Sequence, residues 1–196
     1  FKKGAIIEDL RPNIYDPVEG TTIADAEVER LPRKTKLIDV KWQLNDGSEL
    51  IISTTRPELI CACGVVVVHP DDERYRHLVG QKITLPLPTI GREKTVQIMT
   101  HASVKSDFGS GVLMVCSFGD QNDVAVFREL GLTPFQAINL EGRMTEIAGQ
   151  WSNMTVLEAR NSVIEYLEEN DKVAKIEERN QEVPVSERGK NPVEII

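Results

Sequence analysis

No stretch of the 196-residue sequence approaches the roughly 20 consecutive apolar residues that a membrane-spanning helix needs, which sets aside the integral membrane classes. The opening Phe1-Lys2-Lys3-Gly4 leads into ordinary mixed sequence, so no signal peptide is expected. A basic surplus is missing as well: 23 Lys and Arg stand against 31 Asp and Glu, a net charge of -8. Phosphate contacts supply most of the affinity of a protein that holds nucleic acid unaided. A nucleic acid partner is therefore expected to be gripped locally, or mainly by parts outside this chain. Cysteine is scarce and odd in number, with Cys61, Cys63 and Cys116. That spacing is neither a disulfide framework nor a zinc pattern, and a reducing, cytoplasmic setting is the default. Internal repeats and low-complexity tracts are lacking. What is present is an ordinary globular composition, 40% hydrophobic and 28% charged, long enough to bury a core without disulfides or metal. Phe rather than Met at position 1 suits a piece of a longer protein.

Periodicity organises the chain. Residues 1–35 read as irregular, with Pro12, Pro17, Gly20 and Pro32. Alternation over Lys36–Trp42, the turn Asn45-Asp46-Gly47 and the run Glu49–Thr55 predict a hairpin. The Val-rich run Gly64–His69 suits a strand buried on both faces. Asp71–Leu78 reads as a short surface helix, and Ile83–Leu87, Lys94–Met99 and Val112–Cys116 as strands. Apolar spacing at Val124, Phe127 and Leu130 predicts a helix over Asp120–Leu130, capped by Asp120 and ended by Gly131. A second helix is predicted over Thr155–Glu169, with a Thr155/Glu158 capping box and a buried stripe of Leu157, Val163, Ile164 and Leu167. Residues 181–196, with Pro184 and Pro192, read as extended. Short strands without regular alternation with helices predict an α+β, β-rich fold, with a closed or nearly closed β-barrel core and peripheral helices.

Three segments could carry chemistry. In Ser53-Thr54-Thr55-Arg56-Pro57-Glu58 two hydroxyls and an arginine fall where a strand stops at a proline. Such groups can bind a ribose, an adenine edge, a water or a phosphate; a polar strand end with a salt-bridged arginine is the plainer reading. Asp107-Phe108-Gly109-Ser110-Gly111 permits close backbone approach but is not the G-x-G-x-x-G fingerprint. In Gly119-Asp120-Gln121-Asn122-Asp123 a buried strand gives way to a helix. Asp120 and Asp123, three apart, can point to one side of its first turn. A carboxylate there can bind a substrate ammonium or simply cap the helix, worth about 1 kcal/mol. His69, His77 and His101 make no Ser/His/Asp pattern and read as structural. Cys116 falls in the strand register and reads as a small buried residue.

Together and in this order, T-T-R-P-E, P-D-D-E-R-Y-R-H-L-V-G-Q-K with L-P-L, D-F-G-S-G-V and G-D-Q-N-D resemble the editing domain inserted in class I valyl-, leucyl- and isoleucyl-tRNA synthetases. The resemblance spans nearly the whole chain. Thr21–Glu29 resembles the stretch leaving the synthetase catalytic domain, and Pro184–Ile196 the stretch returning to it. The implied division is a connecting stretch 1–35, an editing domain 36–180 and a return stretch 181–196. His69–Tyr75, Glu58, Ala26–Glu29 and the closing N-P-V-E-I-I are similar to the valyl pattern of an archaeal kind, whereas G-D-Q-N-D also resembles the leucyl H-D-Q-R-D. The HIGH and KMSKS signatures do not occur, so ATP and Mg would belong to a catalytic domain elsewhere. Against the bacterial valyl pattern K-V-T-P-A-H-D-P-x-D, Met114 replaces Lys, Cys116 replaces Thr and Gly119 replaces His, while Leu59 replaces the last Thr of T-T-R-P-E-T. The two aspartates remain, as Asp120 and Asp123.

The resemblance implies hydrolysis of threonine misattached to tRNA(Val), with threonyl-adenylate as a further substrate. Asp123 would bind the α-ammonium, and Asp120 would recognise the threonine hydroxyl or support Asp123. Thr54, Thr55 and Arg56 would hold the terminal adenosine and order the attacking water. Phe108 would pack on the substrate or the adenine, and Met114, Cys116 and Gly119 would shape the amino-acid pocket. Positioned water and a stabilised oxyanion suffice for an activated ester, so neither metal nor cofactor is expected in this domain. The expected partners are the 3′ end of tRNA(Val) and the remaining synthetase domains. Editing domains of the leucyl or isoleucyl enzymes and a non-catalytic tRNA-binding insert are the alternatives.

Overall fold

A computed structural model describes residues 11–88 and 90–196. Residues 1–10, with the Phe1–Gly4 opening and the first part of the expected connecting stretch, lie outside the described residues. The strands are β1 (Ile14–Asp16), β2 (Thr21–Thr22), β3 (Val28–Leu44), β4 (Glu49–Thr54), β5 (Cys63–Val68), β6 (Lys82–Thr84), β7 (Thr95–Thr100) and β8 (Val112–Cys116). Helices α1 (Gln121–Glu129) and α2 (Val156–Glu169) follow, and β9 (Val173–Ser186) and β10 (Glu194–Ile195) complete the set.

Seven strands make one sheet in the order β4-β3-β6-β7-β5-β8, with β9 also paired to β3. All neighbours are antiparallel except β5 and β7. A second, three-stranded sheet has the order β10-β1-β2. The large sheet curls strongly but stays open. Among the described residues no backbone pairing joins β4 to β8, so the expected closed or nearly closed barrel core takes the form of a strongly curled half-barrel that is not fully closed. A side-chain link spans the gap: the Ser110 N–H, just before β8, donates to Ser53 Oγ at 3.0 Å.

The predicted hairpin forms, with Trp42 opposite Leu50 and Ile38 opposite Thr54. Its first strand, however, begins at Val28, inside the stretch expected to be irregular. The reason is nonlocal: residues 28–40 pair with β9, Arg30 facing Pro184 and Pro32 facing Glu182. Both prolines sit in a ribbon whose partner strand lies far away in sequence. The expected helix over Asp71–Leu78 is a series of turns with a single 3-10 turn at Arg76–Leu78. There the Asp72 carboxylate takes the Arg74 N–H and guanidinium, a local alternative to helical bonding. The strand expected over Ile83–Leu87 stops at Thr84, because Pro86 and Pro88 have no N–H to donate.

The core follows the apolar pattern. Val66 and Val68 of β5 face the main cluster with Ile38, Trp42, Ile52 and Trp151. Val65 and Val67 face a smaller cluster with Val115, Val126 and Phe127 under α1. So β5 is buried on both faces, as its unbroken valine run predicts. The capping box of α2 is present: Thr155 Oγ1 accepts from the Glu158 N–H, and Glu158 Oε2 accepts from the Thr155 N–H. Its buried stripe is Ala159, Val163, Ile164 and Leu167, while Leu157, in the first turn, is 64% exposed and falls outside the stripe.

Candidate active site

A cleft of about 690 Å³ opens between the end of β4, the strand β8, the start of α1 and the β3–β9 ribbon. Thr54, Thr55, Arg56, Phe108, Met114, Cys116, Gly119, Asp120 and Asp123 all line it. The three segments singled out in the sequence thus converge on one cavity. His69, His77 and His101 lie away from it; His101 bonds Ser103 and Glu129.

Asp123 is the most perturbed carboxylate in the cleft. It stands in the first turn of α1, and its Oδ2 accepts the Cys116 N–H at 3.0 Å. Burial, and then the neighbouring charge of Asp120, push it up to about 7, against the opposing pull of the Cys116 N–H and Arg56. Gly119 is needed for this placement, because a Cβ there would run into Asp123 Oδ2. Asp120 is the helix N-cap, its Oδ1 accepting the Asp123 N–H at 2.8 Å. The capping reading is therefore realised, by an exposed residue that also lines the cleft.

The cleft's other polar groups come from the end of β4. Thr54 Oγ1 accepts the Arg56 N–H at 3.0 Å, which leaves its own proton to donate. The Thr55 side chain, half-buried, makes no hydrogen bond among the described residues. Arg56 is committed internally: Nε donates to Glu58 Oε1 at 3.0 Å, Nη2 to Glu194 Oε2 at 2.7 Å and Nη1 to the Gly119 carbonyl at 3.3 Å. Burial works against its charge, and Glu194 and Glu58 more than restore it. Three of its five N–H donors thus order the cleft wall, the salt-bridged alternative raised by the sequence. Glu58 is its buried partner, 1% exposed. Arg160 of α2 forks onto both Glu58 oxygens at 2.7 and 3.0 Å. Burial would raise the Glu58 carboxyl, but Arg160 and Arg56 hold it below its usual range.

Phe108 stands at the rim, 46% exposed, with the Arg179 guanidinium 4.9 Å from its ring centre. The Gly-rich turn carrying it is fixed from several sides. Tyr75 OH donates to the Ser110 carbonyl at 2.7 Å and Arg74 Nη2 to the Ser106 carbonyl at 2.8 Å. Gly109 has a φ of 56°, and a Cβ there would lie 2.5 Å from Ser53 Oγ. Met114 and Cys116 form an apolar wall. The adjacent Cys63 thiol and burial push the Cys116 thiol well above its ordinary value, so it is a neutral packing group.

Sequence reasoning passed over Glu194, Arg160 and Arg179, and over Arg30 and Glu182, which line the cleft; it took Glu58 as the end of the first segment and a family mark, without a pairing role. Arg160 is 102 residues from Glu58 and Glu194 is 138 from Arg56, so nothing local signals either pairing. Among the described residues, no three His, Cys, Asp or Glu side chains gather as a metal site, and no helix is long and apolar enough to cross a membrane.

No protein-family model matches the chain. Individual proteins do, over its whole length: it is 43% identical to a valine–tRNA ligase of Nanoarchaeum equitans, 41% to that of Aeropyrum pernix and 40% to that of Archaeoglobus fulgidus. It spans 25%, 24% and 22% of those three proteins, about a quarter of their length. Over its whole length the chain is thus similar to a segment of aminoacyl-tRNA synthetases. More narrowly, it belongs with the corresponding segment of the archaeal valine–tRNA ligases.

Proposed function

We propose that the chain is the editing domain of such a ligase, hydrolysing threonine misattached to tRNA(Val). The observation that carries the reading is the meeting of the paired carboxylates Asp120 and Asp123 with the hydroxyls of Thr54 and Thr55 in one cleft, on a chain about 40% identical to valine–tRNA ligases. An apolar valine pocket cannot strongly reject threonine, an isostere bearing a hydroxyl. A second site can demand that hydroxyl, since valine would leave polar groups unpaired.

In this reading the cleft takes the terminal adenosine of tRNA with its esterified amino acid, a ligand that suits its size. Asp123, as carboxylate, binds the α-ammonium. Asp120 lies within reach of the threonine hydroxyl, and Met114 and Cys116 border its methyl group. Thr54 and Thr55 hold the ribose and the attacking water. Water adds to the ester carbonyl, the oxyanion collapses, and the ribose oxygen leaves with a proton, releasing threonine and intact tRNA. Phe108 packs against the adenosine. Arg56 takes part by shaping the wall, with three of its five donors held by Glu58, Glu194 and Gly119. Positioning and electrostatic stabilisation suffice for this activated ester, so the domain itself calls for no cofactor. ATP and Mg serve the activating part of the enzyme. Residues 36–180 form the editing unit, with 1–35 and 181–196 as connections to the remaining domains, and the enzyme works in the cytoplasm.

The test is deacylation of Thr-tRNA(Val) beside Val-tRNA(Val), with wild type and Asp123→Ala. Threonine-selective hydrolysis that Asp123→Ala abolishes is expected. Absence of selectivity in the full-length protein would leave a non-catalytic tRNA-binding insert.

A further inference from the structure

Two acids and two arginines are linked in one line, Arg160–Glu58–Arg56–Glu194, of which Arg56 lines the cleft. Arg160 forks onto Glu58 with both its Nε and Nη2, so each of those charges finds its counterpart in the other. Arg56 shares one Glu58 oxygen, and its own counter-charge is Glu194, 6% exposed, at 2.7 Å. Glu194 does not line the cleft, although its neighbours Val193 and Ile195 do. It belongs to β10, which pairs with β1 and not with the half-barrel.

The third edge of Arg56 matters most. Nη1 donates to the carbonyl of Gly119, the residue just before the Asp120 cap. The Asp123 carboxylate packs directly on Gly119, with no room for a Cβ between them. A planar guanidinium held on three edges cannot turn. Freed of Glu194, it is left charged in a half-buried place with one edge loose, and it rotates towards whatever acceptor or water is near. The Gly119 carbonyl and the first turn of α1 then lose their outer support.

We propose that Glu194 is a positioning residue for the editing reaction: through Arg56 it sets the Gly119 carbonyl and hence the place of Asp123. The proposal rests on the editing reading above. It also makes the small β10-β1-β2 sheet part of the active-site scaffold, so that a shift of β10 reaches the substrate ammonium through a single side chain. Misplacement of a reacting group by about 1 Å can cost about 10²-fold in rate, whereas tRNA affinity comes from many contacts.

The test uses Glu194→Gln and Glu194→Asp in the full-length protein. The first removes the charge at constant shape, and the second keeps the charge but shortens its reach. Expected is a fall of about tenfold or more in kcat for Thr-tRNA(Val) deacylation, with KM changed less than about twofold. The Cys116 amide signal, which reports its bond to Asp123, should shift as well, a change that loss of stability elsewhere would not produce. Should Glu194→Gln fail to fold, Glu194→Asp decides by the same readouts. Wild-type kcat and an unmoved Cys116 amide in the folded variant would overturn the proposal. Failure of the wild type itself to select threonine would instead overturn the editing reading.

Discussion

Asp123 Oδ2 accepts the backbone N–H of Cys116 at 3.0 Å, so the last residue of β8 holds the carboxylate of the helix that follows it. One strand and one helix terminus thereby act as a single rigid corner. The first consequence is a pH dependence. Burial and then Asp120 push Asp123 up to about 7 from its ordinary 3.8. If the carboxylate form binds the ammonium, kcat/KM for Thr-tRNA(Val) rises with pH below about 7 and levels above it. The kcat limb lies lower, because the bound ammonium favours the charged form. Asp123→Asn should cost about 2–3 kcal/mol of transition-state binding, roughly 10²-fold, and flatten the limb. The stability sign is the reverse: the raised native value makes this carboxyl stabilising below its unfolded value, a contribution lost as pH rises through about 7. A pH–rate profile with no limb in that region would remove Asp123 from the ammonium site.

Asp120 has two separable effects. Its carboxylate caps α1 through the Asp123 N–H, and its charge helps to raise Asp123. Asp120→Ser keeps a capping oxygen and removes the charge, whereas Asp120→Ala removes both. The serine variant should unfold within about 0.5 kcal/mol of wild type, and the alanine variant about 1 kcal/mol below it, by urea titration. In both, the kcat/KM limb should move to lower pH. A limb that stays in place in the serine variant would show that Asp120 does not act on Asp123 through charge.

Gly119 answers to space. An added methyl group has to displace the Asp123 carboxylate, since the two cannot share the position. Gly119→Ala should therefore lower threonine deacylation by about tenfold or more. Far-UV circular dichroism should stay that of wild type, because α1 is capped by Asp120 and packed by Val126 and Phe127. Full activity in Gly119→Ala would show that Asp123 works from another position.

Glu58 carries the largest stability effect expected. Its carboxylate is buried between Arg56 and Arg160. Glu58→Gln leaves Arg160 without its counter-charge and Arg56 with Glu194 alone, and should cost about 3–5 kcal/mol in denaturant titration. Its pH signature follows from a native carboxyl held below the ordinary 4.5 by the two arginines against burial. Stability from this group is complete above that ordinary value and is lost as pH falls through the lower native one. Glu58→Gln should lose this acid-dependent part, and an unchanged acid profile would count against the pairing.

Much of this was legible along the chain because it is local. The Asn45-Asp46-Gly47 turn, the both-face burial of β5, the Asp120 and Thr155 caps and the polar segment Ser53–Glu58 depend on residues a few positions apart, where period and capping chemistry operate. The same locality misled at Asp71–Leu78, where Asp72 binds its own loop, and at Leu157, where a helical period could not say which edge of the stripe is buried. Tertiary structure alone decided the rest. The pairing of β3 with β9 carries strand through Pro32 and back to Val28. The open edges at β4 and β8 depend on how far the whole sheet curls. The Arg160–Glu58–Arg56–Glu194 line joins side chains more than 100 residues apart. Which groups could do chemistry was readable along the chain, because residue type and short spacing set hydrogen-bonding capacity and local backbone form. That Arg56 shapes the wall while Asp123 meets the cavity emerges with the folded chain, because burial, counter-charge and free space are properties of neighbours brought from distant parts of the sequence.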